Sequence, residues 1–168
     1  MDGIFPGLLP PGFMELPGPF RILLGQDGTL TRSLSLLTGE PVTVETIRLP
    51  ETAKGLRKVY LRVPSAGRLV FARTQVLSLP PPPEDLQMDE LMKGDAAIGQ
   101  SMEARFGPLR KEGYSIHPSR VPIDPDAEER EGILWTRSYR MISASGAVLL
   151  IEEFFLPTLF SLAGGTIR

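Results

Sequence analysis

Two pairs of strand-like segments in this chain are joined by turns too short to let the backbone cross over a sheet. Leu56–Val63 and Leu69–Leu77 flank Ser65-Ala66-Gly67, and Ile133–Ile142 and Ala147–Leu156 flank Ser145-Gly146. Parallel neighbours need a connection of about a dozen residues or more, so both pairs predict antiparallel hairpins. In the first strand Arg57, Val59, Leu61 and Val63 alternate with Lys58, Tyr60 and Arg62, the period of two expected of a strand with unlike faces.

The segments between the hairpins carry helix signals. Asp27-Gly28-Thr29 has helix-start chemistry, Leu30, Leu34 and Leu37 follow at helical spacing, and Gly39 is a stop. Glu84–Lys93 predicts a helix ending at Gly94. Asp95 is the expected cap of another, whose Ile98, Met102 and Phe106 share a face. Phe20–Leu24 predicts a helical turn, Pro41–Leu49 a strand with Val42 and Val44 on one face, and Gly113–His117 a short strand. Residues 1–18 read as an irregular arm, because Pro6, Pro10, Pro11 and Pro17 break any helix or ladder. Ser78–Pro83 ends in four consecutive prolines and reads as a stiff connection; Pro122–Glu131 reads as a charged loop, and Pro157 as the end of the last hairpin. Helices fall between groups of strands rather than alternating with them. The expectation is an α+β fold, a single antiparallel sheet with helices on one face, forming one domain over residues 1–168.

Composition removes several function classes. With 18 basic and 20 acidic residues the net charge is −2, so nucleic acid is not the expected partner. The absence of cysteine excludes disulfides and thiolate chemistry, and a single histidine, His117, excludes a histidine-rich metal site. No long apolar run suits a membrane span, and the acidic, proline-broken N-terminus does not read as a signal peptide. A cytoplasmic setting, or its equivalent in an organelle, is expected.

Three features could carry chemistry. Arg57 shares its face with Val59, Leu61 and Val63, and a guanidinium there calls for an anion, either a structural carboxylate or a ligand. Glu152 and Glu153 interrupt the apolar run AVLLIEEFFL, so one of them must face the helix-covered side. The third feature is the pair of helix starts at Leu30 and Ile98, whose first-turn N–H groups lack intrahelical acceptors and suit an anion, although every helix has such a turn. Arg73, Arg137 and Arg140 are weaker candidates on strands, with Arg73 sharing a face with Leu69, Phe71 and Leu77. His117 reads as a surface or satisfied histidine rather than a catalyst, and Trp135 as core. Nucleotide-binding, serine-hydrolase and zinc-protease motifs are absent.

In order and spacing, GTLTR (Gly28–Arg32), GEPVTVE, the Leu56-Arg57 pair, FART (Phe71–Thr74), GDAAIG (Gly94–Gly99), LWTRSYR (Leu134–Arg140) and EEFFLP (Glu152–Pro157) resemble the chorismate lyase family. The likeness runs from about Phe20 to Phe160. It implies a six-stranded antiparallel sheet with the ligand beneath two helix-turn-helix flaps. It also implies conversion of chorismate to 4-hydroxybenzoate and pyruvate without a cofactor, feeding quinone or related aromatic biosynthesis. The family's buried arginine matches Arg57, its glutamate matches Glu153, its two backbone contacts match Leu30 and Ile98, and a second arginine at the pocket mouth of some relatives matches Arg73. Leu30 and Ile98 would then hold the ring-side anion, Arg57 and Glu153 the ring hydroxyl and breaking ether, and Arg73 the departing enolpyruvate. The chain departs from enteric-type lyases at Ala72, where they have glycine, and at Leu30, where they have methionine; the Ala72 methyl would narrow the approach to the pocket. The implied partner is a small molecule, with no nucleic acid or membrane insertion, and a monomer is favoured. The same fold also serves as the effector-binding domain of winged-helix regulators, so a non-catalytic aromatic-acid binder is the alternative. About 20 residues precede the fold here, too few for such a regulator's DNA-binding module.

Overall fold

The computed structural model describes residues 9–79, 84–119 and 134–164. In chain order the elements are α1 (Gly18–Gly25), α2 (Leu30–Thr38), β1 (Thr43–Thr46), β2 (Leu56–Val63), β3 (Gly67–Ser78), α3 (Glu84–Lys93), α4 (Ile98–Phe106), β4 (Leu109–Ser119), β5 (Leu134–Ser143), β6 (Val148–Phe155) and α5 (Pro157–Leu162). The strands form one six-stranded sheet in the order β1-β2-β3-β6-β5-β4, with every neighbouring pair antiparallel. This is the expected α+β class. Both tight turns close hairpins as their lengths require, and β3 and β6 join the two hairpins at the centre of the sheet.

Local chemistry moves several boundaries from where the sequence put them. Phe20–Leu24 is part of a full helix, α1, which tolerates Pro19 because proline at the first positions removes only an N–H that has no helical acceptor. The same rule explains α5: Pro157 begins a helix as well as ending β6. The expected Asp95 cap is wrong, since α4 starts one residue after Ala97 and no side chain caps it. β1 is shorter than Pro41–Leu49, and β4 is longer than Gly113–His117 because it pairs with β5 on both sides of a bulge between Glu112 and Ser115. Gly113, at φ 66°, takes the left-handed conformation that this bulge requires. The described part of the N-terminal arm is not loose, for Phe13 and Leu16 are buried and Phe13 meets Trp135 edge-on at 6.0 Å. The proline run 80–83, the loop 122–131 and Ile133 lie outside the described residues.

Strand register lays the helix-covered face out in rows. One row carries Leu61, Val70, Phe155 and Trp135; the next carries Val59, Ala72, Glu153 and Arg137; the next Arg57, Thr74, Ile151 and Tyr139. A further row holds Val76, Leu149 and Met141. Two apolar clusters pack over these rows. In one, Phe20, Leu24, Leu30 and Leu34 of α1 and α2 cover Val59, Leu61, Val70 and Phe155. In the other, Met88, Met92, Met102 and Phe106 of α3 and α4 cover Met141, Leu149 and Ile151. Each buried side chain of this size contributes about 1.5–3 kcal/mol. Each helix pair is thus fastened to its own half of the sheet, and a band of polar side chains runs between the halves. No helix among the described residues is long and apolar enough to cross a membrane.

Candidate active site

The polar band contains Arg57, Glu153 and Arg137, which are 3%, 5% and 1% exposed. Arg57 rises from β2 beneath the α3–α4 turn. Its Nη2 donates to the carbonyls of Gly94 at 2.8 Å and Ala96 at 2.7 Å. Its Nε has no hydrogen-bond partner, and no carboxylate among the described residues lies within ion-pair distance of it. Burial pulls this guanidinium below its ordinary pKa, opposed in part by the charge of Asp95. A cation satisfied only by neutral carbonyls retains an electrostatic demand for an anion.

Glu153 has the opposite surroundings. Its Oε2 accepts from Arg137 Nε at 2.6 Å and faces Arg137 Nη2 at 2.5 Å, and its Oε1 accepts from the Tyr139 hydroxyl at 3.1 Å. Arg137 Nη1 reaches on to the carbonyls of Leu23 at 2.9 Å and Gln26 at 2.7 Å. A carbonyl at the end of α1 has no intrahelical donor, so Arg137 caps that helix from the sheet while neutralising Glu153. Burial opposes the Arg137 cation, yet Glu153 and the hydrogen bond between them hold its pKa above the ordinary value. Burial, then the Glu153 carboxylate, push the Tyr139 hydroxyl well up, which keeps it a neutral donor. Tyr114 stacks on Tyr139 at 5.2 Å between centroids and is itself pushed up to about 12, mainly by burial.

The register decides which glutamate faces the helices. Glu153 pairs with Ala72 and Arg137 on the covered face, whereas Glu152 pairs with Arg73 and Ser138 on the other. Arg57 and Glu153 stand one row and two strands apart, so their Cα atoms are separated by about 12 Å at ordinary strand and residue spacings. Ala72, Thr74 and Ile151 form the floor between them. Ala72 shares this row with Val59, Glu153 and Arg137 and packs against the first apolar cluster. Leu30 and Ile98 are the first residues of α2 and α4, and each follows a turn held down from the sheet, by Arg137 in one case and Arg57 in the other.

Arg73 does not join this group. It sits on the opposite face and pairs with Glu152 at 2.6 Å, with 43% of its side chain exposed. The resemblance puts this residue at the pocket mouth; strand alternation puts it on the face opposite Arg57, and the residue that shares the Arg57 face is its neighbour Ala72. Exposed ion pairs contribute about 0.2–1 kcal/mol, so Arg73→Ala and Glu152→Gln are each expected to leave stability nearly unchanged and turnover within about twofold of wild type. A tenfold loss in either variant would require a second functional face. Arg140 and His117 are exposed, and Trp135 packs against the first apolar cluster. The residues that sequence reasoning undervalued or missed are Arg137, Tyr139, Tyr114 and Lys111.

A family model described as chorismate pyruvate-lyase Rv2949c-like matches residues 23–162. The chain belongs to this family. The match spans every strand of the sheet, and it includes Leu30, Arg57, Ile98, Arg137 and Glu153. No curated protein matches the chain.

Proposed function

We propose that the chain is a cofactor-independent lyase that converts chorismate to 4-hydroxybenzoate and pyruvate, supplying an aromatic biosynthetic route such as that of a quinone. The observation that supports this most is the buried, anion-seeking Arg57 on the same face as Glu153, at a separation suited to one substituted ring. Chorismate is a dicarboxylate with an enolpyruvyl ether beside a ring carbon that bears a hydroxyl. Breaking the ether C–O bond and losing the hydrogen from the hydroxyl-bearing carbon make the ring aromatic. The enolpyruvate takes up a proton and becomes pyruvate.

Aromatisation supplies the driving force, and the protein's part is positioning and charge neutralisation. In this reading Arg57 and the first-turn amides at Leu30 and Ile98 receive the ring-side anion. Glu153 Oε1 accepts the ring hydroxyl beside Tyr139, with lone-pair capacity remaining after one neutral donor. Departure of the enolpyruvyl group leaves 4-hydroxybenzoate still held by Arg57 and Glu153 and covered by both helix pairs, so product leaves slowly.

Purified protein given chorismate is expected to release 4-hydroxybenzoate and pyruvate in equal amounts, in the presence or absence of EDTA. Product formation should show a burst equal to the enzyme concentration. Excess 4-hydroxybenzoate should raise the melting temperature, because it binds only the folded state. Binding of 4-hydroxybenzoate without turnover of chorismate would replace this reading with the non-catalytic binder.

A further inference from the structure

The turn between α1 and α2 is held by two cations at different depths. Arg137, wholly buried, fixes its base through the Leu23 and Gln26 carbonyls. Lys111 fixes its crest, with Nζ donating to the carbonyls of Asp27 at 2.8 Å and Gly28 at 3.0 Å. These carbonyls precede the Thr29 cap and lie outside either helix, so helical bonding does not set their position. Lys111 stands on the edge strand β4, just before its bulge. Its ammonium also lies 5.2 Å from the centroid of the Tyr139 ring, the ring whose hydroxyl donates to Glu153. One side chain therefore ties the approach to Leu30 to the aromatic wall beside Glu153.

We propose that Lys111 is a positioning residue for the reaction: it latches the crest of the α1–α2 turn to the sheet and keeps the first turn of α2 closed over the bound ring. The kinetic part of this rests on the chorismate reading; the latch does not. Arg137 holds the base independently, so loss of Lys111 lets residues 27–30 lift while α1 stays docked. Methionine at this position keeps the apolar stem and removes the donors. Arginine restores two or more donors on a stem of similar length.

Hydrogen exchange and steady-state kinetics test the two parts separately. In Lys111→Met the amide of Ser33, which donates to the Thr29 carbonyl, and those of the turn that follows it in α2 should exchange about tenfold faster than in wild type, with β2, β3 and β6 unchanged, as expected when the crest that anchors this turn comes loose. KM for chorismate should rise about tenfold and inhibition by 4-hydroxybenzoate weaken by a similar factor, while kcat holds or rises as release becomes easier. Lys111→Arg should recover most of both effects. Unchanged exchange in Lys111→Met overturns the latch, whatever the substrate. Faster exchange with a fall in kcat at constant KM overturns the positioning role. If wild type does not consume chorismate, the functional reading fails instead, and the exchange result alone decides the latch.

Discussion

Arg57→Met should lose at least about 30-fold in kcat/KM for chorismate while keeping or gaining thermal stability. The loss follows from removing one side of a desolvated charge pair between protein and ligand, about 2–5 kcal/mol, with each 1.4 kcal/mol worth a factor of ten. The stability expectation comes from the unliganded site. Arg57 is almost fully buried, lacks a carboxylate partner among the described residues, and carries a guanidinium whose pKa burial lowers. Such a charge costs folding free energy, only partly offset by its bonds to the Gly94 and Ala96 carbonyls. An apolar side chain of similar length relieves that cost. A residue kept at the expense of stability is the mark of a binding site rather than of a structural ion pair. Arg57→Lys should recover little activity, because one ammonium cannot serve two carbonyls and a planar carboxylate together. Measuring kcat/KM and Tm on the same preparations decides the matter. A large fall in Tm with unchanged kcat/KM would make Arg57 a structural residue.

How far the sequence could be read depended on whether the signal was local. Turn length alone required both hairpins, and alternation in Leu56–Val63 placed Arg57 on the covered face. The same argument applied to LWTRSYRMIS would have raised Arg137, since it alternates with Trp135, Tyr139 and Met141 on one face. Its neighbours Thr136 and Ser138 blurred that contrast. Alternation puts Arg73 on the face of Phe71, as the sequence has it, and that face is the one turned away from Ala72 and the helices; the place at a pocket mouth came from the resemblance alone. Lys111 and Tyr114 were not readable in this way. The bulge at Gly113 shifts the register between them, so no single period describes β4. Asp95 failed as a cap because it has the right chemistry two residues too early, and Ala97 occupies the cap position without a side-chain bond. Pairing of β3 with β6 joins segments far apart in sequence, and no local pattern specifies such a contact.

The second large effect concerns Arg137 and runs in the opposite thermodynamic direction. Arg137→Met leaves the Glu153 carboxylate 5% exposed with only Tyr139 as a donor, and strips the donor from the Leu23 and Gln26 carbonyls. Breaking a buried pair from one side costs about 3–5 kcal/mol. For a chain of this size that lowers Tm by roughly 6–20 °C, at about 2–4 °C per kcal/mol. Glu153→Leu alone should destabilise as well, because it strands a guanidinium that is 1% exposed. The double variant Arg137→Met/Glu153→Leu removes both charges together, so it should be markedly more stable than the sum of the single effects predicts. A coupling free energy of about 2 kcal/mol or more is expected from the cycle, measured by urea denaturation. On the proposed chorismate reading the double variant should nevertheless be inactive, since that reading makes Glu153 the acceptor for the ring hydroxyl. Arg57 and Arg137 are both buried, yet they are expected to separate cleanly in these assays: one variant keeps its fold and loses its ligand, and the other loses its fold first. Additive single effects within about 0.5 kcal/mol would show that Arg137 and Glu153 do not act as a pair. A stable Arg137→Met variant would show that the end of α1 and the position of Glu153 are held by something other than this guanidinium.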